Sequence, residues 1–252
     1  MGQAVRRLID EADDLQLAGG IDREPRAGEA AAGLGCPSVL TPDSAGSLLG
    51  ASDAVIDFSS PGALRSLLEH AGAALAGRAL VVGTTGLGEQ EQALLRQVAE
   101  RSPVVAAANF SVGVNLLLQL VRSAARVLPE DRFDVEIVET HHRRKVDAPS
   151  GTALALAEAA AAARAAPLET VRRDGRSGQV GARPAGEIGL HSVRGGGVVG
   201  EHRVHFLGEA ERLELAHIAA DRTLFAEGAL LAARWALGRA PGLYRMSDVL
   251  GF

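Results

Sequence analysis

Short runs of nearly unbroken apolar residues constrain this chain more than any other feature. They are Ala54-Val-Ile-Asp-Phe-Ser59, Ala79-Leu-Val-Val-Gly-Thr-Thr-Gly86 and Val104-Val-Ala-Ala-Ala-Asn-Phe-Ser111. Runs that stay apolar through both alternating faces suit strands covered on both sides. Helical patterns at 63–76 and 89–100 fall between them. Upstream, 2–11 reads as a helix with Val5, Leu8 and Ile9 on one face, and 15–22 as a further strand. Such strand–helix–strand alternation predicts an α/β fold, a Rossmann-like doubly wound parallel sheet.

In sheets of this kind ligands gather at the carboxyl ends of the strands. Those ends carry Asp22-Arg23, Phe58-Ser59-Ser60, Gly83-Thr84-Thr85-Gly86 and Ala108-Asn109-Phe110-Ser111, rich in the small and hydroxyl residues that let a nucleotide approach the backbone. Asp22 follows Gly2 by twenty positions, the spacing expected between a helix-opening glycine and the acidic residue that holds a ribose hydroxyl. The candidate cofactor-binding residues are Gly2, Asp22, Arg23, Gly83, Thr84, Thr85, Ala108, Asn109, Phe110 and Ser111. Asp22 favours NADH and Arg23 suits the 2′-phosphate of NADPH, so use of both cofactors is expected.

The chemistry concentrates in Glu139-Thr-His-His-Arg-Arg-Lys-Val-Asp-Ala-Pro-Ser-Gly-Thr152. Residues 133–138 alternate apolar and acidic, which reads as a strand with one buried face, so His141 and His142 sit where it ends. Ser150 is a natural cap for an alanine-rich helix over 153–166. The N–H groups of Gly151, Thr152 and Ala153 would face an anion at that helix start, and the helix has no carboxylate before Glu158. Lys145 adds a positive charge beside the histidines, so the segment looks built for a carboxylate or phosphate next to an acid–base pair.

Residues 112–128 form a mostly apolar helix, 172–186 a glycine- and arginine-rich mobile loop, and 187–193, 198–207 and 212–218 an antiparallel meander. A helix follows over 220–237. His191, His202, His205 and His217 fall in strands at no zinc-like spacing and read as ordinary sheet residues, so no metal site is expected. A net charge of −5 without a basic stripe argues against nucleic acid as a partner. Cys36 stands alone, and no stretch reads as a membrane span or signal core, which favours the cytoplasm.

The segment from Glu139 closely resembles the signature E-x-H-H-x-x-K-x-D-x-P-S-G-T-A of the 4-hydroxy-tetrahydrodipicolinate reductase (dihydrodipicolinate reductase) family. The resemblance implies reduction of a cyclic dicarboxylate by NADH or NADPH in lysine and diaminopimelate biosynthesis. It implies His141 as acid–base group, Lys145 as proton donor, His142 as a substrate contact, and Gly151 and Thr152 as the cradle of a substrate carboxylate. It further implies a dinucleotide-binding domain over 1–111 plus 221–252, with 240–250 packing back on it. A second α+β domain over 112–220 would bind substrate and assemble a homotetramer. In that family the first helix follows a strand and G-x-x-G-R-M-G. Met1-Gly2 resembles the end of that motif, so about a dozen residues, one short strand and its turn, would be absent. A polypeptide starting at Met1 is then expected to fold poorly and bind cofactor weakly. Two other readings stay open: a metal-dependent hydrolase using His141, His142 and Asp147, and an inactive oligomeric relic that binds dicarboxylates.

Overall fold

The structure, a computed structural model, describes residues 1–22, 36 and 38–252. The chain divides into two compact units, Met1–Val112 with Thr223–Phe252, and Gly113–Arg222. Arg23 lies outside the described residues.

The first unit opens with α1 (Gly2–Asp10), whose Val5 packs with Ala226 and Leu230. The strand expected over 15–22 is confined to β1 (Gly20–Ile21), paired in parallel with β2 (Val39–Leu40). The residues ahead of β1 are used otherwise: Leu15 packs beside α1, and Asp14 accepts two hydrogen bonds of 2.7 Å from Arg234. Next come β3 (Ala54–Asp57), α2 (Pro61–Ala71), β4 (Ala79–Val82), α3 (Glu89–Ala99) and β5 (Pro103–Ala106), with the three strands parallel and adjacent. Every residue of β4 is buried. Leu80 and Val82 pack with Leu64, Leu68, Leu95 and Val98 of α2 and α3, while Ala79 and Val81 pack on the opposite side with Phe110 and Ala229. Period-2 alternation over two apolar layers explains why these strands read as continuous apolar runs.

Helix α4 (Val112–Val127) leads into the second unit. There β6 (Asp134–His141) continues to His141, three residues beyond the run first read as strand, and α5 (Gly151–Ala163) ends three short of the expected 166. The left-handed Ala165 (φ 56°) closes α5, with the Ala166 N–H bonded back to Ala161 O at 3.0 Å. The remaining strands are β7 (Arg172–Asp174), β8 (Ile188–Arg194), β9 (Gly200–Leu207) and β10 (Arg212–Ala219), in the order β10-β9-β6-β8-β7. Burial along β6 alternates strictly, and its covered face sets Val135 and Ile137 in one core with Ala153, Leu156, Ala157 and Ala160 of α5.

The expected meander is therefore only half right. β9 and β10 form an antiparallel hairpin, but β8 and β9 are not neighbours, because β6 lies between them, parallel to β8 and antiparallel to β9. The turn at Gly196 and Gly197 does not join adjacent strands; the Gly195 N–H donates to His141 O, and Gly196 O accepts from the Arg143 N–H, so this link crosses the end of β6. The loop expected over 172–186 has no helix or strand from residue 175 on, but it begins as strand and is tied to the sheet. Its first residues pair with β8, and Arg176 and Arg183 both donate to Glu136 at 2.9–3.0 Å.

The chain then returns to the first unit as α6 (Thr223–Ala236), β11 (Gly242–Tyr244) and α7 (Met246–Leu250). β11 extends the first sheet in parallel beside β5, giving β11-β5-β4-β3. Among the described residues, no helix is long and apolar enough to cross a membrane.

Candidate active site

Glu139 and His141 are two residues apart on β6, so both point to the face covered by α5, and His142 follows the strand end. Glu139 is fully buried. Its Oε2 lies 2.5 Å from His141 Nδ1, and its two oxygens accept a bidentate pair from Arg194 at 2.7 and 2.8 Å. The Ser150 N–H donates to Glu139 Oε1 at 3.1 Å. Burial alone would raise this carboxyl, but the hydrogen bonds from Arg194, His141 and Ser192 outweigh it and hold the group down at about 2. Glu139 is thus an anion throughout the neutral range.

Strand register explains this convergence. On β8, Arg194 is the partner of His141; on β9, His202 is the partner of Glu139. The His202 ring meets that of His141 edge to face, with centroids 5.2 Å apart. Its Nε2 lies 3.1 Å from Ser150 Oγ, and burial, reinforced by the neighbouring His141, pushes it down to about 4. His202 is neutral at physiological pH.

Ser150 caps α5 as expected, its Oγ accepting from the Ala153 N–H at 3.2 Å. Two of the groups near the helix start thereby have partners within the chain: the Ala153 N–H is taken by Ser150, and the Ser150 N–H by Glu139. A carboxylate from the neighbouring strand, Glu139, thus reaches the residue ahead of the helix, which has no acidic residue in its own first turn. Gly151 is exposed, and a Cβ built on it would meet nothing within 4 Å, so the ground before the first turn is open. Thr152 is half-buried beside it.

In the connecting loop the Lys145 N–H closes a turn onto His142 O at 3.0 Å, and Lys145 Nζ lies 2.9 Å from Asp147 Oδ2. Arg194 Nη2 also donates to Asp147 O at 2.7 Å, tying the loop to the sheet. His142 Nδ1 is buried without a hydrogen-bond partner. Loss of solvation and the nearby Arg144 and Arg222 lower the proton affinity of His142, favouring a neutral ring. Of the residues considered as metal ligands, His141 is turned to Glu139 and Asp147 to Lys145. Among the described residues no group of three or more His, Cys, Asp or Glu could hold a metal ion.

The second unit thus brings together His141, His142, Lys145, Gly151 and Thr152, and adds Glu139, Arg194 and His202, which sequence reasoning did not select. Glu139 stood within the quoted signature. His202 shares its alternation with Val204 and Phe206, both in the core, which marks it as covered. Arg194 carried no comparable signal.

The first unit carries the nucleotide candidates at the ends of its parallel strands. The Gly83 N–H donates to Asp57 O at 2.8 Å, and a Cβ on Gly83 would fall 2.2 Å from the Phe58 ring, so only glycine fits there. Thr84 is buried and its hydroxyl donates to Asp57 Oδ2, while Thr85 is exposed. Asp57 is drawn upward by burial, against the hydrogen bonds from Ser59 and Thr84. Ala108 is exposed, and Asn109 Oδ1 accepts from the Ser111 N–H at 2.8 Å. The Phe110 ring lies in the core, edge to face with Phe58, which leaves its backbone as the part able to meet a ligand. Gly2 begins α1 with open space where a Cβ would stand, and Asp22 follows β1, its N–H bonded to Leu40 O. Small, tightly held strand ends of this kind fit a dinucleotide.

Comparison with known proteins covers the whole chain. Residues 1–110 match the family model described as dihydrodipicolinate reductase, N-terminus, and residues 113–250 the one described as dihydrodipicolinate reductase, C-terminus. A 4-hydroxy-tetrahydrodipicolinate reductase of Parvibaculum lavamentivorans is 50% identical, covering 100% of this chain and 94% of its own length. One from Caulobacter vibrioides is 46% identical, covering 100% and 93%. Among solved structures, a dipicolinate-bound dihydrodipicolinate reductase from Paenisporosarcina sp. TG-14 superposes with a TM-score of 0.76 at 24% identity, covering 98% of this chain and 94% of that one, a likeness of fold.

Proposed function

The chain belongs to the dihydrodipicolinate reductase family, and from that premise we propose that it reduces 4-hydroxy-tetrahydrodipicolinate to tetrahydrodipicolinate with NADH or NADPH, in lysine and diaminopimelate biosynthesis. The observation that carries the chemistry is the buried Glu139–His141 pair beside Lys145 at the start of α5.

The net change replaces the substrate's hydroxyl by hydrogen, with water leaving, so one proton must accompany each hydride. The bound nicotinamide supplies the hydride. Lys145 is the proton donor at Nζ, and His141 is the acid–base group that exchanges protons beside it. Gly151 and Thr152 hold a substrate carboxylate at the helix start, where backbone donors and the helix dipole favour negative charge. His142 contacts the substrate through a ring that burial and nearby cations keep neutral. In the first unit Gly2, Asp22, Gly83, Thr84, Thr85 and residues 108–111 hold the cofactor, Thr84 and Phe110 by their backbone. Asp22 serves the ribose hydroxyls and Arg23 the 2′-phosphate, giving use of both cofactors.

The protein works in the cytoplasm as a homotetramer assembled through the second unit's sheet. Ile218, Glu201, Thr140 and Val193 line up across the sheet face away from α5, and Ile218 and Val193 are 58% and 47% exposed there. Exposed apolar side chains at both ends of such a row suit burial against another copy.

The test is consumption of NADH and of NADPH by the purified protein with freshly prepared 4-hydroxy-tetrahydrodipicolinate. Substrate-dependent oxidation, with kcat/KM for the two cofactors within about tenfold, is expected; no turnover with either cofactor overturns the assignment. His141→Ala is expected to lower turnover at least about a hundredfold, the usual scale for losing a general acid or base.

A further inference from the structure

His141 has two ring nitrogens, and its neighbours decide which of them exchanges protons. We propose that Glu139 is a positioning residue that fixes His141 as the Nδ1–H tautomer, so that Nε2 is the atom that exchanges protons. The inference rests on the reductase reading for its chemistry but on geometry for its content.

Glu139 Oε2 and His141 Nδ1 are 2.5 Å apart, and Arg194 holds the same carboxylate through two hydrogen bonds. A carboxylate paired with guanidinium can only accept, so the proton between it and the ring belongs to Nδ1. The neutral ring then presents a lone pair at Nε2, and the charged ring presents an N–H there.

A second observation concerns the side where Nε2 lies. Gly200 begins β9 beside the end of β6, and a Cβ built on it would sit 3.1 Å from His141 Nε2 and 3.5 Å from Cδ2. The missing side chain therefore keeps the working nitrogen uncrowded. One neighbour takes Nδ1 and another leaves Nε2 clear.

Arg194 has a separate part. An unpaired buried carboxylate would be costly, and beside a protonated imidazole it would hold the proton rather than release it. The guanidinium shares that negative charge, and its bond to Asp147 O fixes its own position. His202, from β9, approaches His141 edge to face as a neutral ring and so adds no competing charge.

The experiment has two arms. In the first, the protein is labelled with 15N-histidine, and the His141 signals are identified by their loss in His141→Gln. The nitrogen shifts of the neutral ring are expected to report Nδ1 protonated and Nε2 bare; a ring protonated at Nε2 overturns the proposal. In the second, Glu139→Gln can offer an amide N–H to Nδ1 and so turn the tautomer over. Its kcat is expected to fall at least about tenfold, with KM for substrate changed less than about threefold, the scale seen when a buried partner of a working histidine is altered. A folded Glu139→Gln protein with wild-type kcat overturns it. If that variant fails to fold because Arg194 is left unpaired, the wild-type spectrum decides alone. The tautomer is read without turnover, so a protein inactive on the dicarboxylate would refute the reductase reading and leave this one standing or falling on its spectrum.

Discussion

Lys145 Nζ and Asp147 Oδ2 are 2.9 Å apart, yet the two groups have unequal surroundings: the lysine side chain is 20% exposed and the aspartate 55%. An ion pair with one partner so open to water contributes about 1 kcal/mol or less. Asp147 can therefore give way cheaply when a substrate carboxylate needs the ammonium. Lys145→Ala should cost at least about a hundredfold in kcat/KM, whereas Asp147→Asn should change it less than about fivefold. Steady-state rates on the two variants check the contrast, and equal losses would show that the pair, not the lysine, is what matters.

Stability should fall in two stages as pH drops. His202 is held at about 4 against an ordinary 6.5, so between those values the unfolded chain binds the proton and the folded one does not; stability is full above about 6.5 and is lost as pH falls toward 4. Glu136 and Glu139 are each held at about 2 against an ordinary 4.5, Glu136 against its burial by Arg176, His191 and Arg183. Their contribution is present above about 4.5 and is lost as pH falls toward 2. Each shift corresponds to on the order of 3 kcal/mol. Urea unfolding from pH 8 to about pH 4.5 follows the first stage, and His202→Gln should remove most of it.

Close approach of α6 to the first sheet depends on one atom. A Cβ on Gly228 would fall 1.8 Å from Phe110 O, a backbone atom that cannot rotate away. Gly228→Ala should lower stability by about 1–3 kcal/mol. Gly62→Ala, in α2 with nothing within 4 Å of its Cβ, should be neutral or stabilising by up to about 1 kcal/mol. Thermal unfolding of the two variants, with substitutions identical in chemistry, separates packing from propensity.

Glu136 receives Arg176, Arg183 and His191, and thereby pins a segment that has little regular structure of its own. Glu136→Ala should make the chain between Arg176 and Glu187 several-fold more susceptible to trypsin while leaving the parallel sheet of the first unit intact. Peptide mapping of limited digests would show whether cleavage concentrates there.

The sequence made the parallel sheet legible because its signal is local: β4 is apolar on both faces and must be covered on both. Ser150 as a cap and His141 at a strand end were legible for the same reason. What escaped was everything set by register. Arg194 reaches Glu139 only because β6 lies beside β8, and a rule of nearest neighbours would have paired β8 with β9 instead. That Glu139 takes the Ser150 N–H just ahead of α5 escaped because it belongs to a different element. The segment 172–186 read only as glycine- and arginine-rich, and nothing in it pointed to Glu136, the carboxylate on the face of β6 away from α5 on which two of its arginines converge.

β6 occupies the middle of its sheet, and the groups that hold its last residues come from sequence positions far downstream: Arg194 is 55 residues from Glu139, and His202 is 52 from Ser150. No early stretch of the chain can assemble the proton-handling pair by itself. During refolding, activity should return only after β8 and β9 have closed around β6, later than helical structure, since contacts so distant in sequence form slowly. The reaction is in that sense a readout of a completed sheet, and a partly folded molecule has no partial chemistry to offer.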